Sequence, residues 1–340
     1  MDGLIDFSHA KRIFRAFGGS DQKIAVALDG KVYMLKFAQF HAKRTDMSTS
    51  YVNSVLSEYI CSHIAEKIGL PVHKTVLGYY GKEANGGSES KVVVVGCEDF
   101  RGEGETNAEF SEFLRAEFRT DEIGRVVTLE QIYQVLKNRD YFSRELEKES
   151  IERFWDTFIV DALVGNFDRH SGNWGYLYHG DSIRLAPVYD FGSCLLPQLA
   201  DEGISSIAES DYEMLRRCYV FPSLVLYITK KKTGKVGYYD FLASGYDGNC
   251  SEALLRIAPE IRESDIDSVI DETPLLTSAR RAFYKKYLRL RKHMIIDKAY
   301  GFIVMNQCDA EARERLAEGV SFSDALLKKM MQEGKVKVVY

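Results

Sequence analysis

The sequence predicts an α+β fold of two lobes, a small mostly β lobe followed by a larger mostly α lobe. Three observations carry that expectation. Early segments alternate apolar and polar residues with the two-residue period of strands, whereas segments after about Arg101 repeat their apolar residues at helical spacing. A length of 340 residues corresponds to about two folding units. With only 6 prolines and no Ser/Gly tract, no flexible linker separates them, so the lobes are expected to meet across a cleft.

Residues 23–37, KIAVALDGKVYMLKF, read as two short strands joined by Asp29-Gly30, a dipeptide suited to the positive φ angles of a tight hairpin turn. Over residues 51–68 a helical stripe gathers Val52, Val55, Leu56, Tyr59, Ile60 and Ile64, and Gly69 followed by Pro71 stops it. An extended stretch from His73 to Tyr80 follows. A polar turn around Asn85-Gly86-Gly87-Ser88 then leads into Lys91–Val95, whose β-branched run suits a strand buried on both faces. The stretch 101–107, RGEGETN, reads as a solvated loop and is expected to divide a 1–100 lobe from a 101–340 lobe. The pattern is mostly helical to about Gly165. Trp174–Tyr178 and Ile183–Val188 form a second hairpin around His179-Gly180-Asp181-Ser182, and helices and loops fill the rest.

Composition narrows the function. Apolar residues at 45% and charged residues at 28% match ordinary globular chains rather than disordered or fibrous ones. The 45 basic and 50 acidic residues leave a net charge of −5, so no overall positive field draws the chain to nucleic acid or anionic lipid. Six cysteines are scattered without a CxxC pair, which argues against a zinc module or disulfide framework and for a reducing compartment. The start lacks the apolar core of a signal peptide, and the longest aliphatic run, Ile24 to Leu28, is far short of the ~20 residues of a membrane span. A cytoplasmic location is expected, with export as an effector left open. The basic run Arg280, Arg281, Lys285, Lys286, Arg289, Arg291 and Lys292 recurs at helical spacing and reads as a solvated helix face.

The chemistry concentrates in residues 161–192, where an apolar helix gives way to a polar loop, a hairpin and Asp190-Phe191-Gly192. Asn173 follows Asp168 by five positions, the kinase spacing of a catalytic carboxylate and a metal-binding amide, and the acidic residue of a DFG comes one hairpin later. Asp168 can accept or orient the proton of an attacking hydroxyl, while the oxygens of Asn173 and Asp190 suit Mg²⁺. His170 is read as orienting or stabilising charge in the same site, and Asp161 as a brace of the loop or a ligand contact. Upstream, Lys36 sits on the second strand of the first hairpin, as the kinase phosphate-gripping lysine does, and alternation places Met34 beside it. Gly18, Gly19 and Ser20 lie in a short loop whose glycines let backbone N–H groups approach phosphates. Glu58 is the expected partner of Lys36, although it falls away from the centre of its helix's apolar stripe. The strand Val92–Val95 running into Gly96-Cys97-Glu98-Asp99-Phe100 is expected to be the hinge whose backbone meets an adenine edge, with Val95, Gly96 and Cys97 among the ATP-binding residues.

These strings together resemble the HipA-like serine/threonine kinases, most closely the compact CtkA type. The resemblance rests on Phe17-Gly18-Gly19, Leu35-Lys36-Phe37, Ser57-Glu58-Tyr59, Gly165 to Trp174, Leu185 to Asp190 and Gly192-Ser193-Cys194-Leu195, in the same order. It implies a protein-kinase-like fold that binds ATP and Mg²⁺ and phosphorylates Ser or Thr on itself and on partners. Asp168 would be the base, Asn173 and Asp190 the metal ligands, Lys36 the phosphate lysine, and Ser20 a candidate autophosphorylation site. An antitoxin or host protein would be a partner of such a toxin-like kinase. Other readings keep part of this machinery: a lipid or small-molecule kinase of phosphoinositide-kinase-like type, a nucleotide-binding toxin or regulator with little turnover, or a metal-dependent hydrolase built on Asp168, His170 and Asp190.

Overall fold

The computed structural model describes residues 3–15, 23–38, 53–82, 90–119, 127–219, 226–227, 237–318 and 332. Strands β1 (Ile5–Asp6), β2 (Lys11–Ile13), β3 (Lys23–Leu28), β4 (Lys31–Phe37), β5 (Thr75–Lys82) and β6 (Ser90–Glu98) build one sheet in the order β1-β5-β6-β4-β3-β2. Every pairing is antiparallel except β1 with β5. The β3–β4 hairpin closes as its sequence demands, with φ of 49° at Asp29 and 76° at Gly30. In register, Met34 faces Cys97 and Lys36 faces Val95, so these four side chains share one face of the sheet. That face packs on helix α1 (Ser54–Ile68) through Val55, Leu77, Val95 and Cys97. Phe7, Val26, Tyr33, Leu35 and Val94 form a separate core on the opposite face.

The Lys91–Val95 strand is buried on both faces only in its second half. Val93 shares the face of Val95 yet is 39% exposed, because nothing among the described residues covers that end of the sheet. The 101–107 loop is also shorter than its polar composition suggests. Thr106 already belongs to β7 (Thr106–Glu109), which pairs with a strand some 70 residues on, a partner that local sequence does not reveal.

Beyond the sheet the chain is mainly helical. Helix α2 (Phe110–Phe118), strand β8 (Val127–Thr128) and helices α3 (Leu129–Leu136) and α4 (Arg144–Val164) precede the hairpin β9 (Gly175–His179) and β10 (Ser182–Leu185). The order β10-β9-β7 makes a small sheet, and β11 (Leu226–Tyr227) pairs with β8. The second hairpin turns in two residues, since His179 and Ser182 already pair, and Val188 leaves it to bridge Val72 in parallel. Helices α5 (Asp201–Ala208), α6 (Asp211–Tyr219), α7 (Tyr238–Ser244), α8 (Gly248–Ile257), α9 (Glu263–Glu272), α10 (Ser278–Arg291), α11 (Lys298–Val304) and α12 (Ala310–Glu318) follow, with a π-helical turn, Lys292–Asp297, joining α10 to α11; α8, α10 and that turn pack directly on α4. Trp155, Phe158, Ile159 and Leu163 of α4 are essentially fully buried at the centre of this core.

The basic helix α10 is not simply a solvated face. Arg291 is fully buried and donates to the carbonyls of Ala162 and Leu163 at the C-terminal end of α4 and of Arg217 and Cys218 at that of α6, groups that helix ends leave unsatisfied. Arg280, 3% exposed, binds Asp201 and the Leu199 carbonyl. Lys285 and Arg289 pair with Asp271, Asp267 and Glu263 of α9. These cations join helices rather than await an acidic partner. No helix among the described residues is long and apolar enough to cross a membrane.

Candidate active site

Helix α4 ends at Gly165 in the left-handed conformation, and the loop after it is held from beneath by a buried ion pair. Asp161, fully buried, accepts from Arg169 Nε at 2.8 Å and Nη2 at 3.1 Å, and from Asn166 Nδ2 at 2.9 Å. Arg169 Nη1 donates in turn to the Asn173 carbonyl at 2.9 Å and to the Tyr189 carbonyl. One guanidinium thus fixes the end of α4, the loop and the residue before Asp190. Burial opposes the charged form of Arg169, but Asp161 outweighs it and holds the pKa above the ordinary value.

Within the loop, Asn166 Oδ1 accepts the Asp168 N–H at 3.0 Å, and Asn173 Nδ2 donates to the Asp168 carbonyl at 2.8 Å. This second bond occupies the amide nitrogen of Asn173 and leaves its Oδ1 as the end available to a cation. His170 Nδ1 accepts the Gly172 N–H at 3.0 Å, so the ring shapes the loop turn.

On the six-stranded sheet, Lys36 Nζ lies 2.8 Å from Glu58 Oε2 and 2.9 Å from Asp190 Oδ1. The side chains are 14%, 0% and 34% exposed, so the ammonium is nearly enclosed while Asp190 still reaches solvent. For Lys36, burial works against the charge, yet Asp190 and Glu58 together push its pKa well above the ordinary lysine value. Burial would raise Glu58, but Lys36 and His73 pull it far below the usual carboxylate range. Asp190 is likewise lowered, with Lys36 overcoming burial. Asp190 also adopts a φ of 67°, in the left-handed region that aspartate enters more readily than most residues, within a segment that α1 holds in place. Ser57, next to Glu58, contributes to that. Its hydroxyl lies 2.8 Å and 2.7 Å from the Phe191 and Cys194 carbonyls and accepts the Cys194 N–H, tying α1 to the segment after Asp190.

The structure therefore gathers Lys36, Glu58 and Asp190 at one point, with Asp168 and Asn173 on the loop that Arg169 locks to the same segment. Glu58 points inward despite its place on the helical wheel, because the inward charge of Lys36 replaces apolar contact as its reason to be buried. Gly18, Gly19 and Ser20 lie outside the described residues, as does the 85–88 turn. Val95 and Cys97 face Lys36 as buried side chains, whereas Gly96 faces the opposite side, where an added Cβ would come 2.7 Å from the Phe7 ring. Gly96 and Cys97, like Val95, are paired to strands on both sides within the sheet. Even Glu98 and Asp99 still donate their N–H groups to Lys74 and Val32. Arg169, Ser57 and His73 were not singled out as site residues by sequence. The only signal for Arg169 was its place beside Asp168, and that of Ser57 its place beside Glu58.

Comparisons with known proteins follow this geometry. Residues 16–216 match the family model of the HipA-like C-terminal domain. The chain is 34% identical over 289 residues, 84% of each sequence, to a protein of Helicobacter pylori named serine/threonine-protein kinase CtkA. The crystal structure of a Helicobacter pylori proinflammatory kinase CtkA matches with a TM-score of 0.79 at 32% identity, covering 90% of this chain and 99% of that one. A second structure, of the Shewanella oneidensis toxin–antitoxin system HipA, HipB and its operator DNA, matches with a TM-score of 0.50 at 16% identity, over 86% of this chain and 67% of that one. At that identity it supports the fold alone.

Proposed function

The chain belongs to the HipA-like C-terminal domain family, and on that premise we propose that it is an ATP-dependent serine/threonine protein kinase that phosphorylates itself and partner proteins. The observation that carries the reading is the ion pair of Lys36 with both Glu58 and Asp190, set beside a loop in which Asn173 holds the Asp168 backbone.

Each residue has a task that follows from its chemistry. Lys36, kept charged by two carboxylates, grips nucleotide phosphates, and Glu58 fixes its direction. Met34, Val95 and Cys97 offer an apolar wall to the base, and the chain beyond Glu98 supplies the hinge between a lobe of residues 1–100 and one of 101–340. Gly18, Gly19 and Ser20 form the phosphate loop, with Ser20 an acceptor for autophosphorylation. Asp168 orients the acceptor hydroxyl and takes its proton as the oxygen attacks the γ-phosphorus. His170 supports the loop from which Asp168 acts.

The oxygen-only donors Asn173 Oδ1 and Asp190 fit a hard divalent cation, and Asp190 is exposed enough to reach one. Magnesium bound there would neutralise charge on the transferred phosphoryl group. Protein acceptors, with an antitoxin or host protein among the partners, and a cytoplasmic site of action complete the reading.

Incubation of the chain with ATP and Mg²⁺, followed by mass-spectrometric mapping, tests it. Phosphate on Ser or Thr that is absent in Lys36→Met supports the proposal. Nucleotide binding without transfer to any protein hydroxyl would refute it.

A further inference from the structure

His73 is 3% exposed in the short connection between α1 and β5, and no step above uses it. Its Nε2 lies 3.0 Å from Glu58 Oε1 and 3.1 Å from Ser62 Oγ. Glu58 directs Oε2 to Lys36, whereas Oε1, buried, has no in-line hydrogen-bond donor among the described residues. His73 is the charged or polar group brought to that second oxygen. Its backbone makes a different attachment. The His73 N–H donates to the Val188 carbonyl at 3.0 Å, Val188 N–H donates to Pro71 at 2.8 Å, and Val72 bridges Val188. Val188 stands two residues before Asp190. One residue therefore grips α1 with its side chain and the Asp190 segment with its main chain.

The consequence concerns the nucleotide-bound state. Lys36 now divides itself between Glu58 and Asp190, and phosphates and metal would draw both Lys36 and Asp190 away from that arrangement. Glu58 is then the one fixed anchor of Lys36. A carboxylate held at a single oxygen can rotate about its terminal bond, and an imidazole nitrogen 3.0 Å from the other oxygen restricts that rotation. We propose that His73 is a positioning residue for phosphoryl transfer: it locks the Glu58 carboxylate toward Lys36 and couples that lock to the segment bearing Asp190. This rests on the kinase reading above.

The test compares His73→Gln, whose amide nitrogen can occupy the place of Nε2, with His73→Asn, whose amide stops short of it. Both are polar, so differences in burial cost are small. The full chain is assayed for phosphoryl transfer over a range of ATP concentrations, alone and with Glu58→Gln. His73→Asn is expected to lower kcat/KM for ATP by about tenfold or more, with His73→Gln retaining most of the wild-type value. In the Glu58→Gln background the difference between Asn and Gln should largely vanish, which a purely structural role would not produce. Equal losses in the two single variants, or an undiminished difference without the Glu58 carboxylate, would overturn the inference alone. A wild-type chain that transfers nothing would overturn the kinase reading and this inference with it.

Discussion

Arg169→Met keeps the unbranched apolar stem of the side chain and removes the guanidinium with its charge, and the structure sets the cost. Asp161 is fully buried and, among the described residues, would keep the Asn166 amide alone as a side-chain hydrogen-bond partner. A carboxylate stranded in this way costs about 3–5 kcal/mol. The carbonyls of Asn173 and Tyr189 also lose their donor, at about 1 kcal/mol each. The cation–π contact of Arg169 with the Phe191 ring, 4.8 Å to its centre, disappears as well. Because these losses share one neighbourhood they do not add fully, and about 4 kcal/mol is the expected total. Urea unfolding of the full chain, followed by both fluorescence and far-ultraviolet dichroism, measures it. The control is Asp161→Asn with Arg169→Met, which removes both charges together. It should recover at least half of the loss, because no unpaired charge stays buried. If Arg169→Met costs less than about 1 kcal/mol, or if the double variant is no more stable than the single one, the pair does not hold the loop as described.

Acid should find the Glu58 site. The pKa of Glu58 is held below its ordinary 4.5 and that of Asp190 below 3.8, so their stabilisation is complete above those values and is lost as pH falls through the lowered folded ones. Unfolding free energy measured from pH 6 down to about 2 should therefore fall less steeply for Glu58→Gln than for wild type, and parallel curves would refute the assignment. At the alkaline end the Lys36 contribution is complete below 10.5 and is lost as pH rises from there through its raised folded value, so Lys36→Met should leave the slope between about pH 6 and 9 unchanged. Gly175→Ala tests packing beside the Asp168–Asn173 loop: the new Cβ would sit 2.1 Å from the Ala108 carbonyl oxygen, so β7 must shift. A loss of about 2–3 kcal/mol in chemical unfolding is expected, and a change within about 0.5 kcal/mol would contradict the close approach.

What could be read from sequence divides by the range of the forces involved. The first hairpin was legible because Asp29-Gly30 encodes its own turn, and α1 because Gly69 ends a clear apolar stripe. Lys36, Asp168, Asn173 and Asp190 stood out because phosphoryl transfer would require those types at those spacings, and the structure ties Lys36 to Asp190 and Asn173 to the Asp168 backbone. Glu58 was half legible: its residue type suited the role, but its burial depends on a lysine 22 positions away and on His73. Ser57 and Arg169 act on backbone carbonyls, which leave no mark on side-chain pattern. Strand β7 was hidden because its partner is distant, and the cations of α10 looked solvated because their acceptors lie on other helices and at the ends of α4 and α6.

The central claim is that Asp168 and Asp190 serve one phosphoryl-transfer site. The most direct measurement is transfer of label from γ-labelled ATP with Mg²⁺ to the chain itself and to a generic protein acceptor, for wild type, Asp168→Asn and Asp190→Asn. The account predicts label on Ser or Thr in wild type and its loss, by about a hundredfold or more, in both variants. Undiminished label in either variant, or none in a wild type that binds ATP, would contradict it.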